Sequence, residues 1–199
     1  MNASKAPADP PNIQQLIKAK IDAIAPTVSR QPLGLVHHQP EASAETGRCF
    51  ENVGRKVAQD GGRVQFGSTF HHRYVEKLPG PGYLFITHHA VWHAPNSQLI
   101  DITPYPDPKH HPLAPGGSIL FLIDDKAEPV KTDKLIAPLP LRFFALGEND
   151  ELKAYVARLN ADEQEKCREI YARGACDKRA ASTGHDAGSP QLNPRREES

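Results

Sequence analysis

The sequence predicts a single α+β domain in which helices flank a set of short β-strands. Amphipathic helical spacing near both ends of the chain and β-rich segments between them support this prediction. The 199 residues include 19 prolines and 14 glycines, which favour short strands joined by turns. We expect the domain to span residues 11–176, between a disordered N-terminus, 1–10, and a disordered polar tail, 177–199.

The first predicted element is an amphipathic helix from Ile13 to Ala25. Its apolar residues recur at intervals of three and four, which places them on one face of a helix. Pro26 is expected to end this helix because proline has no backbone N–H to donate. Residues 27–45 lack a clear period and are predicted to form an extended loop.

A second helix is predicted between Thr46 and the glycine pair Gly61-Gly62. The Thr46 hydroxyl is suited to cap a helix start, and glycine is common just beyond a helix end. Cys49 would then lie in the first turn. Unpaired N–H groups at a helix start carry partial positive charge, which favours the thiolate form of a cysteine.

The remaining chain predicts five strands and a last helix. The helix should run from Asn149 to Arg173, with a potential break near Asn160. The predicted strands, rich in β-branched and aromatic residues, are 63–70, 83–93, 98–103, 117–124 and 141–146.

The second and third predicted strands form a hairpin around the turn Pro95-Asn96. Side chains alternate along a strand, so the loop length decides which histidine shares a face with Asp101. An odd-length loop places His89 directly opposite Asp101, whereas a two-residue loop places His88 on that face. The residues alone leave both registers open.

Composition excludes several classes of partner. Lys and Arg together number 24, as do Asp and Glu, so no net charge attracts nucleic acid or an anionic membrane. No apolar run approaches the length of a membrane span, and the N-terminus has no secretory signal. The three widely spaced cysteines argue against a disulfide framework and favour a cytoplasmic location.

Cys49, His89 and Asp101 are the candidate catalytic residues. A thiol that performs acyl transfer needs an activating environment, a base and a group that orients the base. The start of a helix, a strand histidine and an acid on the neighbouring strand match these requirements in turn.

Two motifs carry a resemblance to known families. His89-Ala90-Val91-Trp92, followed by Asp101-Ile102-Thr103-Pro104, resembles the His-Ala-Trp … Asp-Pro-Thr portion of the transglutaminase-like family. With Cys49-Phe50-Glu51-Asn52-Val53, these motifs are similar to a group of uncharacterised bacterial proteins. The resemblance spans residues 46–105 and implies a papain-like core, a nucleophile helix packed on an antiparallel sheet. It implies Cys49 as nucleophile, His89 as general base and Asp101 as orienting acid, with no metal or cofactor.

The leading functional prediction is a cysteine-dependent acyl-transfer enzyme: a hydrolase, deamidase or transferase acting on an amide, peptide or thioester. One alternative is a catalytically silent binding domain of the same fold, in which Cys49 is a small buried hydrophobe. A second alternative is a metal-binding protein, because imidazoles suit transition metals. Its candidate ligands are His71, His72, His88, His89, His93, His110 and His111.

Overall fold

A computed structural model describes residues 12–78, 80–105, 112, 116–131, 136–137 and 139–183, with the backbone alone at 130–131, 136–137 and 173–183. The described chain is mixed α+β, which confirms the predicted fold class at this level. The predicted disordered segments 1–10 and, from residue 184 onward, the tail lie outside the described residues. The last helix continues to Thr183, past the predicted domain boundary at residue 176.

The described residues form three helices and eight strands. The helices are α1 (Ile13–Val28), α2 (Cys49–Asp60) and α3 (Asp150–Thr183). The strands are β1 (Leu33–His38), β2 (Arg63–Arg73), β3 (Tyr83–His93), β4 (Leu99–Asp101), β5 (Ser118–Ile123), β6 (Val130–Lys131), β7 (Ile136–Ala137) and β8 (Arg142–Ala145). No helix among these residues combines the length and apolar character needed to cross a membrane.

Five of the strands close into a small barrel. The sheet order is β2-β5-β1-β4-β3-β8, and β2 also pairs with β3, which completes the ring and leaves β8 on its outside. The β1–β4 pair is parallel and the other pairs in the sheet are antiparallel. Strands β6 and β7 form a separate two-stranded sheet.

Strand β1 lies where the sequence predicted a loop, so that prediction is wrong. Leu33–His38 pairs with β5 on one edge and with β4 on the other. Its local signal is weak because Gly34 interrupts the strand pattern and Leu35 is exposed. The strand forms because two distant segments satisfy its backbone groups, which is a tertiary effect.

Helix α1 covers one side of the barrel. Asn12 and Gln15 form a capping box at its start, and its buried residues Ile17, Ile21 and Ile24 pack against a barrel cluster. The prediction that Pro26 ends the helix is wrong, since the helix continues to Val28. The Ser29 N–H still donates to the Ala25 carbonyl at 3.0 Å, so the missing proline donor does not unwind the last turn.

Helix α2 covers another side and carries Cys49 at its first residue, as predicted. Its start does not depend on Thr46. Instead, the Asn52 carboxamide pairs with both the N–H and the carbonyl of Glu45, at 3.0 and 2.7 Å. The helix ends at Gly61, whose φ of 75° lies in the region that favours glycine. Its buried residues Cys49 and Val53 form a cluster with Ala90 of β3 and Ile102.

Helix α3 is continuous through Asn160, so the predicted break is wrong. The Asn160 side chain bonds both the N–H and the carbonyl of Phe143 in β8, at 3.0 and 2.9 Å. This amide therefore attaches the helix to the outer strand rather than interrupting it.

Candidate active site

The β3–β4 hairpin brings His89 and Asp101 to the same face. Trp92 pairs with Ile100 and His93 with Leu99, so the connecting loop has an odd length. The prediction that an odd loop selects His89 rather than His88 is confirmed. The expectation that His89 lies directly opposite Asp101 is wrong: continued along β3, this register places Asp101 diagonally from His89, a separation that long side chains bridge.

A hydrogen bond joins these two side chains. The distance from Nε2 of His89 to Oδ1 of Asp101 is 3.0 Å, and both residues are buried. The Thr103 backbone N–H donates to the same carboxylate oxygen at 3.1 Å. Asp101 therefore has a fixed orientation before any substrate arrives.

Tyr105 joins this pair, although the sequence analysis did not single it out. Its hydroxyl donates to Oδ2 of Asp101 at 2.9 Å and lies 3.2 Å from Nε2 of His89. Burial and the neighbouring Asp101 charge raise the pKa of the Tyr105 phenol, so it remains a donor. Its position four residues after Asp101, beyond a proline, follows no strand or helix period that sequence reading would detect.

The ionic state of His89 is decided by its charged neighbours. Burial lowers the pKa of His89, but the Asp101 carboxylate and the Cys49 thiol raise it by charge and hydrogen bonding, to about 10. His89 is therefore an imidazolium at neutral pH. Because Asp101 and Tyr105 occupy the Nε2 side, Nδ1 is the ring nitrogen left for the Cys49 thiol.

The carboxylate responds in the complementary direction. Burial raises the pKa of Asp101, yet His89, the Thr103 N–H and the Tyr105 hydroxyl together hold it below its usual value. The site therefore contains a buried ion pair with an additional donor on each carboxylate oxygen. Such pairing is what makes a buried charge tolerable.

No protein-family model, curated protein or solved structure matches this chain. Its function is therefore argued from the chemistry of the site itself.

A cleft of about 310 Å³ opens beside Cys49, His89 and Tyr105. Near the start of α2 its wall includes Thr46 and Gly47. In the other direction it extends along β2 and β3, where the lining residues are Thr69, His71, Arg73, Phe85, Thr87 and His88. A substrate in this cleft would reach both the thiol and the imidazole.

Gly67 allows the barrel interior to pack beside the imidazole. It pairs with His89 across β2 and β3, and a Cβ atom at Gly67 would clash with the Phe121 ring and the Leu122 carbonyl oxygen. The Phe121 ring meets the His89 ring edge to face, with centroids 6.4 Å apart. Only glycine leaves room for this contact.

The histidine cluster does not form a metal site within the described residues. No group of three or more His, Cys, Asp or Glu side chains in that part of the chain is arranged to hold a metal ion. Strand alternation separates His88 from His89, and the Nε2–H of His72 donates to the Pro81 carbonyl oxygen at 2.7 Å. His110 and His111 lie outside the described residues.

Proposed function

We propose that this protein is a cysteine-dependent acyl-transfer enzyme with a papain-like or transglutaminase-like core. The proposal is carried by one observation. The His89 imidazole contacts Asp101 through Nε2 at 3.0 Å, and the Cys49 thiol forms a hydrogen bond with the same imidazole. A thiol, a base and an orienting acid in one chain of contacts match the requirements of nucleophilic catalysis.

In the proposed reaction, Cys49 is the nucleophile and His89 carries the proton that is transferred. The thiolate sulfur attacks the carbonyl carbon of an amide or thioester, and the carbonyl electrons move to oxygen. When the tetrahedral intermediate collapses, a leaving amine takes the proton from His89. Water or an acceptor amine then attacks the thioester, His89 removes its proton, and sulfur departs as thiolate.

The helix start supplies donors for the negative oxygen of that intermediate. The first N–H groups of a helix have no intrahelical acceptor. In α2 the first N–H that donates to a backbone carbonyl of the helix start is that of Asn52, which bonds to Arg48 at 2.9 Å. We therefore assign the oxyanion to the N–H groups at the start of α2, with Thr46 and Gly47 forming the adjacent wall.

Thiol reactivity tests this assignment. At pH 7, iodoacetamide should alkylate Cys49 faster than Cys167, whose thiol pKa is raised by burial and by Glu163. Peptide mapping by mass spectrometry gives both rates in one sample. Cys49 reacting no faster than Cys167 would contradict the proposed role of Cys49 as the nucleophile.

Activity provides the second arm of the test. A panel of amides, peptides and thioesters should be turned over by the wild type and by Cys167→Ala, but not by Cys49→Ala. Activity should persist in EDTA because a thiol–imidazole mechanism needs no metal. Loss of activity in EDTA and recovery with zinc would favour the histidine-dependent alternative, and a reactive Cys49 without any turnover would favour a binding domain.

A further inference from the structure

The cleft continues away from Cys49 along one face of the β2–β3 hairpin. Side chains that alternate along paired strands share a face when they lie opposite each other. The register places four such pairs in a row, beginning at the imidazole: Gly67–His89, Thr69–Thr87, His71–Phe85 and Arg73–Tyr83.

Hydroxyl and imidazole groups fix the polar surface in the middle of this row. The Thr69 and Thr87 hydroxyl oxygens are 2.7 Å apart. Nε2 of His71 lies 3.1 Å from Thr69 and 3.2 Å from Thr87, and its ring stacks on Phe85 with centroids 4.8 Å apart. These contacts give the cleft a preorganised wall.

Arg73 lies at the far end and is half-buried. Its guanidinium carbon is 5.5 Å from the centre of the Phe85 ring, and one N–H donates to the His72 carbonyl at 3.1 Å. Among the described residues no carboxylate forms an ion pair with Arg73. A guanidinium has five N–H donors in a planar fork that matches a carboxylate, and in the described part of the chain the hydrogen bond of Arg73 is the one to the His72 carbonyl.

Arg73 supplies a permanent positive charge to the described lining of the cleft. The other ionisable side chains of that lining are Cys49, Tyr105 and histidines, and it contains no Asp or Glu. A cationic group at such a position favours an anionic ligand.

We propose that Arg73 forms a carboxylate subsite, and that the preferred substrates are extended peptides with an acidic residue three positions from the scissile bond. This inference rests on the proposed function of Cys49. The His71–Phe85 pair is four residues from His89, which corresponds to about 13 Å along a strand. Three extended residues span about 10 Å, and a glutamate side chain covers the remainder to the guanidinium over Phe85.

Alkylating peptides test the subsite without knowledge of the natural substrate. Iodoacetyl-Ala-Ala-Glu amide forms a carbon–sulfur bond with Cys49 as iodide leaves with the bonding electrons. Acetyl-Glu-Ala-Ala chloromethyl ketone, which loses chloride, probes the opposite chain direction. In at least one direction the Glu peptide should label Cys49 about 10- to 100-fold faster than its Gln counterpart, the range expected for a charge-assisted hydrogen bond.

Variants of Arg73 identify the origin of the preference. Arg73→Gln should bring the Glu-to-Gln rate ratio close to one, and Arg73→Lys should retain part of it. Arg63→Gln is the matched control because Arg63 is exposed at the opposite end of the same strand and should leave the ratio unchanged. Moving glutamate next to the reactive group should also abolish the preference.

Equal rates for Glu and Gln peptides in both directions would overturn the subsite, as would a preference that survives in Arg73→Gln. Failure of the proposed function would appear as an unreactive Cys49. The subsite can then still be tested by fluorescence anisotropy, with Cys49→Ala and fluorescent, non-alkylating forms of both peptides. Tighter Arg73-dependent binding of the Glu peptide supports the subsite, and equal affinity overturns it.

Discussion

His88 and His89 are neighbours in β3, but their side chains meet opposite environments. His88 lies across from Ser68, and its Nδ1 and the Ser68 hydroxyl are buried without a hydrogen-bond partner in the described part of the chain. Burial lowers the pKa of His88. His89 faces Asp101, Tyr105 and Cys49, and its pKa rises to about 10.

The comparison shows that burial alone does not decide the charge of a histidine. Burial acts in the same direction on both imidazoles, since it penalises the protonated form. The difference comes from the carboxylate and the thiol, which contact only one of them. Strand alternation therefore converts one step along the sequence into opposite shifts of the imidazole pKa.

Removing the carboxylate should have the largest effect. We expect Asp101→Ala to lower kcat/KM by about 1,000-fold or more, because His89 loses both its orientation and its counter-charge. Asp101→Asn keeps an acceptor for the imidazole and should lose less. His88→Gln, on the other face, should change kcat/KM less than about threefold, and a loss comparable to that of Asp101→Ala would contradict the assignment of the base.

The two histidines should also respond differently to pH. His89 binds its proton up to about pH 10 in the folded protein but only to about 6.5 when unfolded. Its stabilisation is therefore complete below pH 6.5 and is lost as pH rises towards 10. His88 has a lowered pKa, so it costs stability as pH falls below 6.5.

NMR of the imidazole Cε1 protons between pH 5 and 10 should find His89 protonated at pH 8 and a titration midpoint below 6.5 for His88. Urea unfolding over the same range should show a steeper loss of free energy at alkaline pH for the wild type than for His89→Gln. An ordinary titration of His89 near pH 6.5 would rule out the buried ion pair.

Overpacking the barrel beside His89 should lower the stability of the folded protein by an intermediate amount. Gly67→Ala inserts a Cβ against Phe121 and the Leu122 carbonyl, and we expect the free energy of unfolding to fall by about 1–3 kcal/mol. Gly54→Ala is the control, since Gly54 is exposed in α2 with open space around its Cα and should gain about 0.5–1 kcal/mol. Equal stability changes in urea unfolding would show that the interior has room beside His89.

Removing the Tyr105 hydroxyl should have the smallest effect. Tyr105→Phe deletes the donor to Oδ2 of Asp101 but leaves the 3.0 Å bond to His89. We expect kcat to fall about tenfold with little change in KM, in keeping with the net value of one charged hydrogen bond. Tyr74→Phe, at an exposed tyrosine, should change neither constant. A change confined to KM would instead place Tyr105 in substrate binding.

Local patterns predicted much of this structure. The boundaries of β3 follow from its run of β-branched and aromatic residues, and Gly61 ends α2 because few other residues adopt its positive φ. The first-turn position of Cys49 was predicted from spacing, and the parity of one loop reduced the histidine on the Asp101 face to His88 or His89. These features depend on residues that are close in sequence.

Two of the predictions that failed depended on distant partners. Strand β1 needs β4 and β5, and α3 continues through Asn160 because that amide finds the backbone of Phe143. The resemblance to transglutaminase-like proteins stays a prediction, since no comparison bears on it.

The sequence by itself determined the secondary-structure periods and the helix-start position of Cys49. Only the tertiary structure decided that Tyr105 joins Asp101, that the register is diagonal and that five strands close into a barrel. The physical reason is the separation along the chain between the residues that form each feature. Side-chain periodicity and turn parity are local properties of the chain, whereas a hydrogen bond between side chains depends on the three-dimensional path that brings them together.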